Sequence, residues 1–197
     1  MIEKNNNIIY IDIAGRGSIF GKLYACAVIL NDNNDPDEIN LKNKKNILNW
    51  INNNFIYGIG FVNNNEIDKL ICNNGTQTSL QIAIQIAIQL AIDDLLKRVE
   101  IINYEIYING YGCNNNKKCT TVINNNNEYY GITIATIISQ YYYNIYIEYL
   151  SCKDHDLDIK YNLLRNKGLP TKQHLEGIKK YGLSKYHRKS NKYSSYF

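Results

Sequence analysis

Two β-rich apolar runs near the start of this chain, IIYIDI at 8–13 and KLYACAVIL at 22–30, are separated by a segment carrying three glycines, Gly15, Gly17 and Gly21. β-Branched and aromatic residues bounded by a glycine-rich turn are the pattern of paired strands, so the chain opens on a hairpin. A third such run, FIYGIGFV at 55–62, ends at an Asn run at 63–65. The spacing of Leu41, Ile47, Leu48 and Ile51 predicts a helix over 40–53, ahead of that strand. A short helix is expected from Glu66 to Leu70.

Residues 78–98 fit two patterns. Gln81, Gln85, Gln89 and Asp93 recur every fourth residue, a polar stripe on a helix but also one face of a strand. Length and composition decide for helix: about twenty residues is long for a strand, and Ala and Gln favour helix. Strands are expected at 103–109 and 119–123, then a helix over 131–150, a loop, and a helix from Thr171 to Lys180 closed by Gly182. Strands first, then alternating helices and strands with no internal repeat, describe an α/β domain on a central mixed sheet. It is read as one domain over 1–197, with a core at 8–192 and a short basic, Tyr-rich tail.

Composition limits the partners more than the fold. At 197 residues, 45% hydrophobic and 20% charged, the chain has the make-up of one globular domain. A net charge of +4 permits a nucleic-acid partner without requiring one. Five cysteines, at 26, 72, 113, 119 and 152, form no CxxC pair, so reduced thiols are expected rather than disulfides or zinc. No stretch reaches the roughly 18 apolar residues of a membrane span, and residues 1–7 lack an export signal's apolar core. An intracellular protein with no membrane partner is the expectation. Asn runs at 5–7, 52–54, 63–65, 114–116 and 124–127 sit between apolar segments, where drift in an AT-rich genome would collect in solvent-facing loops.

The segment Asp12-Ile13-Ala14-Gly15-Arg16-Gly17 resembles the DEAGRG signature of ribonuclease HII, and Ala25 to Leu30 resembles that family's next strand. Further agreement comes in the family's order. Gly58-Ile59-Gly60 with Glu66-Ile67-Asp68 matches a GIG…EID stretch, Asn109-Gly110 stands at a strand-ending DG, and Ala135 to Gln140 stands at the AKVxRD helix. Gly168, Thr171, His174, Gly182, His187, Arg188 and Ser190 match GYxTxxH…G…HRxS. The resemblance implies a ribonuclease H-like fold, with a five-stranded mixed sheet flanked by helices, and a family activity of cutting RNA embedded in DNA.

That chemistry uses two divalent ions, Mg or Mn, held between four carboxylates. Carried over position by position, Asp12 is retained, while the other three positions hold Ile13, Asn109 and Gln140. Mg²⁺ prefers anionic oxygens, and these replacements are apolar or neutral, so no cofactor is expected. The resemblance assigns nucleic-acid contacts to Gly15, Arg16, Gly17, Lys42 and Thr171, and places Leu169 where the family has a stacking Tyr. Gly15 and Gly17 are equally explained by a tight strand-exit turn.

Outside the motifs, Asp154-His155-Asp156-Asp158 reads as an exposed polar loop rather than a metal cluster. The segment from Lys179 onward mixes Lys179, Lys180, Lys185, Arg188, Lys189 and Lys192 with tyrosines, which suits phosphate contact and base stacking or a solvated terminus. The expected function is a catalytically degenerate relative serving as a structural or binding subunit of a larger protein or ribonucleoprotein assembly, with Tyr141-Tyr142-Tyr143 as a partner face. The alternatives are a module that binds RNA–DNA or DNA duplex without cleavage, and a nuclease with a residual or rebuilt metal site.

Overall fold

The computed structural model describes residues 7–30, 47–74, 76–101, 103–110, 119–122 and 130–189. They fall into two compact units: Met1–Ile13, Ala25–Gly60 and Ile88–Ser139 make the first, and Ala14–Tyr24, Phe61–Ala87 and Gln140–Phe197 the second.

Five strands, β1 (Asn7–Ala14), β2 (Leu23–Ile29), β3 (Ile56–Val62), β4 (Tyr104–Asn109) and β5 (Cys119–Val122), form a mixed sheet in the order β3-β2-β1-β4-β5. β4 runs parallel to both β1 and β5. Every residue of β2 is buried, the mark of a strand covered on both faces. The helices are α1 (Ile47–Asn54), α2 (Asn64–Asn74), α3 (Thr76–Leu96), α4 (Tyr130–Lys153), α5 (His155–Tyr161), α6 (Leu163–Asn166) and α7 (Lys172–Tyr181). The ambiguous Gln-striped segment is therefore helical, as its length requires.

In the first unit, α3 lies directly on β3 because Gly58 has no side chain. A Cβ there would sit 2.2 Å from the Ala91 carbonyl oxygen and 2.3 Å from the Leu95 nitrogen. Asp94 completes the contact by accepting from the Ile59 N–H at 3.1 Å. The GIG motif thus acts through close packing. In the second unit, Phe20 and Tyr161 both meet the His187 ring edge-on, at 5.0 and 4.6 Å between centroids.

Two sequence expectations change. The Asn run at 63–65 is not a loop: Asn64 opens α2, and Glu66 reaches back to accept from the Asn63 N–H and side-chain amide at 2.9 and 3.1 Å. That is the acidic half of a capping box, which the EID motif supplies. The polar stretch 154–158 is not a loop either. Asp154 is the N-cap residue of α5, and Asp156 and Asp158 lie in its first turn, where the helix dipole favours negative charge. The helix expected over 40–53 is present as α1 where it is described, Ile47–Asn54; residues 40–46, including Lys42, lie outside the described residues.

Candidate active site

β4 ends at Asn109, and the step after the Ile11↔Ile108 pair sets that residue beside Asp12, near the carboxyl end of the parallel neighbour β1. The carboxyl ends of adjacent parallel strands are where open α/β sheets gather ligand-binding groups. Asp12 is only 6% exposed. Thr136 Oγ1, from α4, lies 2.5 Å from Asp12 Oδ2, and the Ile13 N–H and Asn109 side chain also hydrogen-bond the carboxylate. A carboxylate can only accept, so Asn109 turns its amino group, not its oxygen, toward Asp12. Burial pushes Asp12 up from the usual carboxylate range, against the three hydrogen bonds that pull it down.

Thr136 was not singled out from the sequence, yet it is the nearest partner of the one retained carboxylate. Its hydroxyl has one proton and two acceptors, Asp12 Oδ2 and the Ile132 carbonyl at 2.8 Å. On α4 the same face continues one turn on at Gln140, which is exposed, and two turns on at Asn144, half-buried. Shifting the helix motif by a turn would exchange one neutral amide for another. Ile13 is half-buried and brings no oxygen from its side chain.

Among the described residues, no group of three or more His, Cys, Asp or Glu is placed to hold a metal ion. Asp12 is the residue that would hold a divalent cation, and Thr136 and Asn109 would have to release it first. One negative charge already engaged by three neutral donors fits a two-metal site poorly.

The second unit carries the Gly15–Gly17 loop. Gly15 has φ +82°, and a Cβ there would stand 2.6 Å from the Tyr143 ring and 2.8 Å from the Lys22 carbonyl oxygen. Conformation and space both demand glycine at that position. Arg16 and Gly17 are exposed at the apex, and a Cβ on Gly17 would stand 3.7 Å from Leu169. Leu169, 48% exposed, thus lies beside the loop and offers it neither a ring nor a hydroxyl. Thr171 serves the fold: it is the N-cap of α7, its hydroxyl accepting from the His174 N–H at 3.4 Å.

Two sequence assignments in this unit need correction. Arg188, grouped with the surface cations, is 4% exposed, because its guanidinium is enclosed by backbone carbonyls. The Tyr run does not form one outward face: Tyr143 is buried under Gly15 and donates to the Lys167 carbonyl at 2.8 Å.

His174 and His187 form a buried pair, Nε2 to Nε2 at 3.0 Å. The Ser184 N–H donates to His187 Nδ1 at 2.9 Å, so His187 carries its proton on Nε2 and gives it to His174. His174 then holds its own proton on Nδ1 and donates to the Leu169 carbonyl at 2.9 Å. Both rings are neutral, and burial together with the neighbouring His174 pushes His187 down to about 3.

The family model for Ribonuclease HII matches residues 9–194. The ribonuclease HII of Christiangramia forsetii is 33% identical over 92% of this chain and 88% of its own length. The ribonuclease H2 of Pyrococcus horikoshii OT3 shares the fold, with a TM-score of 0.66 at 16% identity over 96% of each chain. Bst-RNase HIII, solved in complex with Mn²⁺, also shares it, with a TM-score of 0.64 at 16% identity over 90% of this chain and 63% of its own. These matches overturn the expectation that no cofactor is involved, since ribonuclease HII is a metal-dependent family using Mg or Mn. With the family model matching residues 9–194 and a relative 33% identical over 92% of the chain, and with the five-stranded mixed sheet that the resemblance implied, this chain belongs to the ribonuclease HII family.

Proposed function

We propose that this ribonuclease HII relative engages RNA–DNA and DNA duplexes with its cleavage strongly weakened, so that binding, alone or within a larger assembly, is its main role. The observation that carries this reading is Asp12: one buried carboxylate, already engaged by Thr136 and Asn109, at the place where the family's chemistry draws on four. A divalent ion in such a site activates the attacking water and steadies the leaving oxygen. Here Ile13, Asn109 and Gln140 add no negative charge to hold one, so the ion is bound weakly and turnover is slow. Binding depends less on those positions. Removing three carboxylates lessens repulsion of the phosphate backbone by about 1 kcal/mol per charge pair at contact distance in bulk water. Arg16, exposed at the loop apex, adds attraction. Leu169 cannot stack or hydrogen-bond as the family Tyr does, so preference for a ribonucleotide junction is small.

The test pairs cleavage with binding on a duplex containing one ribonucleotide, in Mg²⁺ and in Mn²⁺. The expected outcome is salt-sensitive binding, with cleavage about a hundredfold or more below that of an intact family member, since even one lost supporting group costs 10–100-fold. The triple change Ile13→Glu, Asn109→Asp, Gln140→Asp restores a trace of activity. Robust cleavage by the unaltered chain would overturn the reading.

A further inference from the structure

We infer that Arg188 is the positioning residue of the Gly15–Lys22 segment, a clamp that holds the Gly15–Gly17 loop in one shape from beneath. The inference rests in its binding consequence on the function proposed above, but the clamp itself stands on geometry. The guanidinium donates to four backbone carbonyls: from Nε to Gly21 at 2.9 Å, from Nη1 to Gly15 and Ser18 at 2.8 Å each, and from Nη2 to Lys22 at 2.7 Å. These acceptors lie at both ends of an eight-residue segment and at its middle, so a single planar fork fixes the whole turn. The Arg188 backbone shares in this, its N–H donating to the Ile19 carbonyl at 2.9 Å. Ser18 adds a second tie, its single hydroxyl proton shared between the Phe20 and Gly168 carbonyls, whose oxygens lie 2.7 and 2.9 Å away.

Four carbonyls turned inward onto one cation leave the exposed apex, Arg16 and Gly17, no route to relax without breaking a charge-assisted bond. Lysine at 188 would keep the charge but lose the fork, and its point-like ammonium cannot reach all four oxygens at once. Tyr143 supports the same loop by packing; its hydroxyl donates to the Lys167 carbonyl at 2.8 Å and makes only a longer contact, 3.4 Å, with the Phe20 carbonyl of the segment, so it is a minor tie beside the Arg188 fork.

Hydrogen exchange on the full chain reads the clamp directly. The amides of Ser18, Ile19, Phe20 and Gly21 are each hydrogen-bonded and should exchange slowly in the unaltered protein. In Arg188→Lys they should exchange about tenfold faster or more, while β1 and β4 amides keep their rates, the pattern of local rather than global opening. Tyr143→Phe should leave the loop within about twofold of the unaltered chain. Fast exchange of those amides in the unaltered protein, an unchanged loop in Arg188→Lys, or an equal opening in Tyr143→Phe would each overturn the assignment. Should Arg188→Lys fail to fold, the unaltered protein and Tyr143→Phe still decide. Affinity for an RNA–DNA hybrid at low salt separates the two claims. Loss of about fivefold in both Arg188→Lys and Arg16→Ala extends the clamp to binding. If the unaltered chain binds no duplex, the proposed function falls while the clamp is judged by exchange alone.

Discussion

Asp12 and Arg188 are both buried charges met by uncharged partners, and they differ in what those partners lose when the charge is removed. Around Arg188 four carbonyls have the guanidinium as donor, and buried acceptors stripped of a donor cost their full desolvation. Around Asp12 the partners are over-committed: the Thr136 hydroxyl has one proton for both Asp12 and the Ile132 carbonyl. The first charge supports the fold. The second is buried against a donor already shared with the helix backbone, and burial pushes its carboxyl up from the usual range.

The comparison breaks most easily at Arg188. Arg188→Met keeps the apolar stem but removes the guanidinium from four carbonyls, of which the Gly15 carbonyl keeps the Ser18 N–H, so stability should fall by about 3 kcal/mol or more. For a chain of this size that is a drop of about 6–12 °C in Tm by calorimetry. A loss below about 0.5 kcal/mol, the scale of an ordinary surface change, would mean that the carbonyls find other donors and Arg188 is no support.

The His174–His187 pair is a third kind of buried group, titratable but neutral. Burial and its partner hold His187 near 3, below its unfolded value of 6.5. The unfolded chain therefore binds the proton first as pH falls, so stability is full above 6.5 and is lost as pH drops toward about 3. One such proton gives a slope of about 1.4 kcal/mol per pH unit across that window. Denaturant midpoints at several pH values for His187→Gln should show a shallower acid limb than the unaltered chain. Parallel limbs would place the acid sensitivity elsewhere.

What was legible in the sequence follows from how local each signal is. Strand runs, the Gln-striped helix and the Gly15 turn are written in neighbouring residues, and the structure has them where periodicity puts them. The capping role of Asn63 and Glu66 was also local, but the Asn run masked it as a loop. Arg188 was misread because a basic residue among Lys and Tyr looks like a surface cation. Its carbonyl partners lie about 170 residues earlier in the chain. Thr136 carries no signal in an apolar helix until the sheet brings Asp12 to it.

The opposite sign is expected at Asp12. In Asp12→Asn the new amide can donate to Thr136, which frees the hydroxyl to donate to Ile132, while the remaining oxygen still accepts from Asn109 and Ile13. Every group is then satisfied and a buried charge is gone. Stability at neutral pH should rise by about 1–2 kcal/mol, within the range seen when buried charges are replaced. Mn²⁺ binding followed by electron paramagnetic resonance should weaken in the same variant. A destabilised Asp12→Asn would place Asp12 with Arg188 as a support of the fold.

The smallest effect separates folding from binding at Thr171. The family resemblance gives this residue a nucleic-acid contact, whereas its hydroxyl is seen accepting from the His174 N–H at the start of α7. Thr171→Ala removes the cap, at about 1 kcal/mol. Thr171→Ser and Thr171→Asp keep an oxygen for the cap, and Asp adds a negative charge that suits a helix N-terminus but repels phosphate. If Thr171 is only a cap, both restore stability, and duplex affinity at low salt is the same in all three variants. If Thr171 also touches the duplex, Thr171→Asp restores stability while weakening binding, by an amount that shrinks as salt rises. Urea midpoints and a gel-shift series on the same preparations distinguish the two outcomes. A stable Thr171→Asp with unchanged affinity would remove Thr171 from the binding surface and leave Arg16 and its clamped loop as the contact to pursue.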